Sequence, residues 1–392
     1  MLTHSPPLPL IIDYVDEGHG VTTRDEEGMV LALQHRDRVY RVRLQIPVPN
    51  LQKVIVAVEG NFPLLEHLYI APPAKQETAL VLSNSFGAPL LRHLILINIA
   101  FPIGSPLLIT AVGLVTLTLQ EIHPSVYFGP NDLLQVLQLS GMHHLQTLGI
   151  TFHSAVPSRD IRRELFYTPV KTHVILPDLR WFSFKGPTAY LEALLPRMAT
   201  PLLEKLQIGF FNQLTFSIPH LLQFMTTTEH LRLTNAKVTF HKEDVFVKVY
   251  PREEAKMLAL YLEVGCRHLD WQVSSAAQIF RALGPVFSAV VDLTLDYQEH
   301  SLSSEWHNEA DCSQWREFLG SFSNVKTLRV HHGLVRELSR SLQPDDGELL
   351  LELVPELEVL EYSAEYNNDV DAFSAFVDER RSAGRPVSLV CR

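Results

Sequence analysis

Phe62-Pro63-Leu64-Leu65-Glu66-His67-Leu68-Tyr69-Ile70 returns as Ala88-Pro89-Leu90-Leu91-Arg92-His93-Leu94-Ile95-Leu96 and again as Thr200-Pro201-Leu202-Leu203-Glu204-Lys205-Leu206-Gln207-Ile208. Repetition of one phrase at a period of a few tens of residues marks a chain assembled from stacked copies of a small unit. Such a unit cannot bury its apolar face alone, so each copy must pack on its neighbours.

Looser copies extend the series: Leu145–Ile150, Leu179–Phe184, Val290–Leu295, Val325–Val330, Leu357–Tyr362, and the shorter Val42-Arg43-Leu44, Leu117-Thr118-Leu119, Leu231-Arg232-Leu233 and Leu269-Asp270-Trp271. Their central apolar residues, at 42, 68, 94, 117, 148, 182, 206, 231, 269, 293, 328 and 360, lie 23 to 38 residues apart. That spacing suits leucine-rich repeats, whose units run roughly 20 to 29 residues around L-x-x-L-x-L, here stretched by loop insertions. In each L-x-L the two apolar side chains face one way and the middle residue the other, because side chains alternate along a strand.

Between the strands, apolar spacings of three and four predict helices over Asp25–His35, Leu51–Val58, Asn131–Leu139, Thr188–Met198, Pro219–Met225, Glu253–Val264, Ser274–Leu283 and Ser313–Phe322. Strand then helix, repeated with short connections, gives a parallel sheet covered by helices on one side. The expected fold is therefore α/β: an irregular leucine-rich-repeat solenoid with the parallel sheet on the concave side and helices on the convex side. One body of about twelve units fills residues 1–392, with a capping segment at 1–38 and an acidic C-terminal cap at 341–392. An open two-layer α/β domain without curvature is the alternative. Thr234–Tyr250, with alternation in Val245-Phe246-Val247-Lys248-Val249, reads as an inserted hairpin or extra strand.

Residues 93–120 carry no Asp, Glu, Lys or Arg, a length that could span a bilayer. Pro102, Gly104, Pro106 and Gly113 interrupt it and repeat strands occupy its ends, so a buried strand-loop-helix-strand unit is expected. Three scattered cysteines, no C-x-x-C and no basic-then-apolar leader place the chain inside the cell, in cytoplasm or nucleus, with no membrane segment. The net charge of −11 is local: residues 341–379 hold twelve acidic residues and no Lys or Arg, leaving −11 + 12 = +1 for the remainder. No basic stripe suggests nucleic acid. The acidic end reads as a solvated terminal face or as a dock for a basic partner.

The nucleophile elbow, phosphate loop, dinucleotide fingerprint and H-E-x-x-H motif are all missing, so no catalysis and no cofactor are expected. The densest set of potential metal ligands, His300, His307, Glu309, Asp311 and Cys312, sits in a hydrophilic stretch between a repeat strand and a helix, which reads first as a solvated loop insertion. A metal-dependent enzyme using His300–Cys312 is the lesser alternative.

The repeats instead expose a row of middle and flanking residues: Tyr69, Trp181, Lys205, Gln207, His230, Arg232, Asp270 and Arg329 are its candidate partner-binding positions. Aromatic and cationic side chains of this kind often anchor protein interfaces. A protein partner is expected on this face.

Pro7-Leu8-Pro9-Leu10-Ile11-Ile12-Asp13-Tyr14, Leu33-Gln34-His35-Arg36-Asp37-Arg38-Val39 and the F-P-L-L-E-H-L phrase at 62–68 make the chain resemble the fungal F-box leucine-rich-repeat proteins over nearly its whole length. The resemblance implies a substrate-recognition role in a cullin-RING ubiquitin ligase, the repeats selecting the protein and an F-box docking a Skp-type adaptor. In that family the F-box precedes the segment resembling Pro6–Tyr14, and no L-P-x-E-[IL] opening stands there in this sequence. The likeness therefore covers the repeat region alone, and adaptor binding requires an F-box upstream. Without one, a repeat-only scaffold is expected.

Overall fold

The computed structural model describes the chain apart from residues 1–7, 58, 74–79, 101, 155–170, 212–216, 229–230, 232, 252–257, 299–310, 332, 344–351 and 364–370. Its internal contacts divide it into two compact units, 1–203 and 204–392. Both are α/β, and each contains a large, mostly parallel sheet.

Strands of the first unit are β1 (Leu10–Val15), β2 (Val39–Gln45), β3 (His67–Ala71), β4 (Leu80–Val81), β5 (His93–Ile97), β6 (Ile99–Ala100), β7 (Thr116–Ile122), β8 (Thr147–Phe152), β9 (Val174–Ile175), β10 (Trp181–Gly186) and β11 (Met198–Ala199). Its main sheet runs β1-β2-β3-β5-β7-β8-β10 with neighbouring strands parallel, and β4-β6 and β9-β11 form small separate ladders. The register explains the repeated leucines. Val42, Leu68, Leu94, Leu117, Leu148 and Phe182 pair side by side, as do Leu44, Ile70, Leu96, Leu119, Ile150 and Phe184, and all are buried. A one-residue slip would turn these rows into solvent, which is why alternating strands specify register so strongly.

The second unit holds β12 (Lys205–Phe211), β13 (Asn235–Phe240), β14 (Asp244–Tyr250), β15 (Leu260–Gly265), β16 (Asp292–Tyr297), β17 (Thr327–Val330), β18 (Val359–Tyr362) and β19 (Ser388–Cys391), in sheet order β12-β15-β14-β13-β16-β17-β18-β19. The expected hairpin is present: β13 and β14 pair antiparallel, and β14 also pairs antiparallel with β15. Leu206, Leu260, Val249, Ala236, Leu293, Leu328 and Leu360 form its inward row. β18 and β19 carry the parallel sheet through the acidic C-terminal region.

Helices fall near the expected places at Thr23–Gln34, Val48–Ala57, Pro130–Leu139, Pro219–Thr227 and Cys312–Gly320. Thr22 starts the first through a capping box: its hydroxyl accepts from the Asp25 amide, and the Asp25 carboxylate accepts from the Thr22 amide. The helix expected over Thr188–Met198 ends at Leu194 and tightens into a 3-10 turn, since Pro196 offers no N–H to continue the ladder. The uncharged stretch 93–120 forms β5, β6, the helix Pro106–Thr110 and β7 as expected. Among the described residues no helix is long and apolar enough to cross a membrane.

Three expectations are corrected. The helix expected over Glu253–Val264 is not formed across its described part, where Leu260–Gly265 is strand β15. Leu258, Tyr261 and Leu262 fit helical spacing while Leu260, Leu262 and Val264 fit strand alternation, and pairing with β12 and β14 decides for the strand. Leu269-Asp270-Trp271, expected as a strand, opens the helix Leu269–Ala282 instead. Gln272 ties that entry down by donating its side-chain amide to the carbonyls of His241 and Cys266, at 2.7 and 2.6 Å. Leu231 and Leu233 lie in irregular chain, and the strand of that unit is β13, four residues later.

Gly186 ends β10 where an added Cβ would stand 2.6 Å from the Phe152 ring and 2.7 Å from the Phe184 ring. Both rings are buried and packed against Tyr190. Gly186→Ala is therefore expected to cost about 1–3 kcal/mol through overpacking. Urea unfolding of the variant checks it, and an unchanged midpoint would contradict the packing argument.

Candidate functional site

Outward-facing residues of the first unit form rows in the same register as the buried ones. The first row runs Ile11, Arg41, His67, His93, Thr116, Thr147, Trp181; the second runs Asp13, Arg43, Tyr69, Ile95, Thr118, Gly149, Ser183. Because parallel neighbours stand about 4.8 Å apart, each row presents one side chain per strand at that interval.

Tyr69 lies beneath the Arg43 guanidinium, whose carbon is 5.8 Å from the ring centroid. Trp181, 38 % exposed, stands on β10, four strand steps or about 19 Å from β3. The structure therefore separates these two candidates rather than joining them in one site. Lys205 and Gln207 share the outward face of β12, and Arg329 sits on β17, five steps or about 24 Å across the second sheet from Gln207. His230 and Arg232 lie outside the described residues.

Asp270 is displaced from the expected row, since it belongs to the first turn of the helix Leu269–Ala282. The position beside Gln207 is taken by Tyr261, followed in the row by Lys248, Lys237, Thr294, Arg329 and Glu361. Tyr261 stacks on Phe246 at 5.8 Å, and its hydroxyl meets the Glu263 carboxylate at 3.5 Å. Burial, with Glu263 and Asp244 adding negative charge, pushes its phenol well above the ordinary range.

Arg329 was expected as a partner-facing cation, and it is engaged within the chain. Its Nε lies 3.4 Å from Glu361, and its Nη1 lies 3.9 Å from Asp292. Lys237 likewise pairs with Asp296 at 2.7 Å, and Arg392 meets Glu361 at 3.0 Å. The outward face of the second unit is thus laced by its own ion pairs.

The first unit has a different electrostatic character around β2 and β3. Asp13 lies 3.8 Å from Arg41 and 3.9 Å from Arg43, one carboxylate between two guanidinium groups. His67 and His93 stack face to face, centroids 4.6 Å apart and planes 5° from parallel; Tyr40 meets His67 edge-on, and His93 Nδ1 is 3.1 Å from the Thr116 hydroxyl. Burial and neighbouring cations hold both imidazoles below the ordinary histidine value.

That depression sets a pH dependence. Below about pH 6.5 the unfolded chain takes up protons at these positions before the folded chain does, so stability falls as pH falls through that window and is level above it. Melting curves between about pH 8 and pH 5 are expected to show a shallower decline for His93→Gln than for the parent, because the stacked pair then holds one titrating ring. Identical slopes would count against the stacked geometry.

Arg41, Arg43, Phe246 and Tyr261 are the site residues that sequence reading missed. The Arg43 signal was present, since Arg43 is the middle residue of Val42-Arg43-Leu44. Tyr261 was hidden by the helical reading of its segment. Of the potential metal ligands, His300, His307 and Glu309 lie outside the described residues, Asp311 caps the helix Cys312–Gly320, and Cys312 is its first residue. Among the described residues no group of three or more His, Cys, Asp or Glu is arranged to hold a metal ion. No protein-family model matches the chain, and no curated protein matches it.

Proposed function

We propose that this chain is a protein-binding module of the leucine-rich-repeat kind, with the outward face of its parallel strands as the recognition surface and without chemistry of its own. The supporting observation is the common register of those strands, which lines up polar, aromatic and cationic side chains while the leucine rows build the core. A surface made this way varies one residue per strand without disturbing the fold.

The sequence likeness to F-box leucine-rich-repeat proteins extends the reading to substrate recognition for a cullin-RING ubiquitin ligase. That extension needs an F-box upstream and a Skp-type adaptor. Co-purification with such an adaptor tests it. Recognition itself is tested by placing a photo-crosslinking amino acid at Tyr69, at Gln207 and, as a control, at Val56, which is exposed on the helix Val48–Ala57. Partner crosslinks are expected from the strand positions and not from Val56. Equal capture from all three, or capture from Val56 alone, overturns the reading.

A further inference from the structure

We propose that the outward face of β1, β2, β3 and β5, with Arg41, Arg43, His67 and His93 grouped around Tyr69, docks an acidic, extended segment of a partner protein. This rests on the protein-binding reading and names the chemistry of the partner. Arg41, His67 and His93 occupy one row in strict register across three neighbouring strands. The row therefore spans about 10 Å, the length of about three residues of extended chain. Arg43 and Tyr69 continue the surface in the next row, the aromatic ring providing a floor for the guanidinium.

Charge complementarity chooses the occupant. Arg41 and Arg43 share the single Asp13 carboxylate at distances near the limit of ion pairing, and their side chains are 43 % and 44 % exposed. Arg92 adds a third cation beside both histidines, while Glu66, which accepts the Tyr40 hydroxyl at 3.3 Å, is the other acid near the pair. Among the described residues, three arginines against two carboxylates leave a surplus of one positive charge with the imidazoles neutral and of three with both protonated. The chain as a whole carries −11, so this face is the opposite of the molecule that bears it. An arriving carboxylate completes the pairing that Asp13 alone supplies to two guanidinium groups.

The histidines make the docking depend on pH. Burial is the first cause disfavouring the imidazolium at both rings, joined at His67 by Arg41 and Arg92 and at His93 by His67 and Arg92, while Glu66 opposes them. A bound carboxylate favours the charged form, so binding takes up protons and affinity rises as pH falls.

The test is fluorescence anisotropy of the full chain with a labelled peptide alternating Glu and Ser, against the same peptide with Gln for Glu. The Glu peptide is expected to bind about tenfold more tightly at about pH 5.5 than at about pH 7.5 at constant ionic strength, and the Gln peptide to show no such gain. Arg43→Gln is expected to weaken binding at both pH values, and the double change His67→Gln with His93→Gln to abolish the tenfold gain between them. Circular dichroism checks that each variant is folded, and Arg41→Gln serves as a second, exposed substitution.

No binding of the Glu peptide, equal binding of the Gln peptide, indifference to Arg41→Gln and Arg43→Gln, or equal binding of a single-stranded nucleic acid of the same charge would each overturn the proposal. Crosslinks confined to strand positions, obtained in the same preparation that ignores the peptide, would remove the acidic segment and leave the protein-binding reading standing. Loss of those crosslinks would remove both.

Discussion

Trp315→Ala is expected to lower the stability of the second unit by about 3–5 kcal/mol, the range for deleting a large buried aromatic side chain. Trp315 lies on the helix Cys312–Gly320 and is fully buried, its ring edge-on to Phe240 at 5.4 Å and to Phe318 at 5.8 Å. Phe318 in turn meets Phe280 and Phe322, so one aromatic cluster fastens two helices to strand β13. Alanine would leave a void in the middle of that cluster, surrounded by rings too rigid to collapse into it.

Trp315→Phe discriminates between lost volume and lost polarity. The indole Nε1–H has no hydrogen-bond partner among the described residues. Phenylalanine removes that buried donor, whose desolvation costs about 1–3 kcal/mol, and so offsets part of the ring area it gives up. A loss below about 1.5 kcal/mol is expected for this variant in chemical denaturation, against the full cost for alanine. Equal losses would mean that the indole nitrogen contributes, contrary to the geometry.

The second large effect is expected at Arg380, a charged side chain only 1 % exposed. Its guanidinium donates to the carbonyls of Leu353, Val354 and Pro355 at 3.3, 3.2 and 3.0 Å, and the Phe376 ring lies 5.7 Å from its central carbon. Burial pulls its ionisation downward, with Arg385 adding repulsion, yet the carbonyl dipoles keep the cation in place. These carbonyls belong to a turn that needs holding, because Val354 is buried with a backbone φ of 48°, a left-handed conformation costly for a β-branched residue.

Arg380→Met retains most of the apolar stem and removes every donor, so three carbonyls lose the guanidinium at once and only that of Val354 keeps a second donor, the Leu357 amide. A cost of about 3 kcal/mol or more is expected, since hydrogen bonds to a charged group are worth roughly 1.5–3 kcal/mol each and do not add fully. Arg380→Lys should recover only part, because an ammonium lacks the planar fork that spans three acceptors. Hydrogen exchange of the Leu357 amide, which donates to the Val354 carbonyl, reports the same turn locally. Slow exchange in Arg380→Met would show that the turn holds itself.

Much of this was written in the linear pattern. Leu68, Leu94, Leu117, Leu148 and Leu206 announced strands because a two-residue alternation inside a repeated phrase has a single physical reading, and those strands are present with the alternation buried and exposed as expected. The failures came where two periods coincided. Leu258 to Val264 satisfies both helix and strand, and Leu269-Asp270-Trp271 mimics a strand although it opens a helix. Strands β1 and β19 escaped because their apolar runs are short, and the helices Leu334–Ser341 and Ser374–Ser382 because theirs are short and mixed with charge.

The sequence by itself determined the alternation of strand and helix and the identity of the buried rows, since leucine spacing dictates which side chains can leave water together. Tertiary structure alone decided which outward residues meet. Nothing local to Arg41, Asp13, His67 or His93 says that one carboxylate serves two guanidinium groups or that two imidazoles stack, because these contacts join strands 25 or more residues apart in sequence through the register of the sheet. Likewise nothing local to Arg329 reveals Asp292 and Glu361 beside it. Hydrophobic periodicity is a property of each segment, whereas charge pairing is a property of neighbours, and neighbours exist only once the strands have been laid side by side.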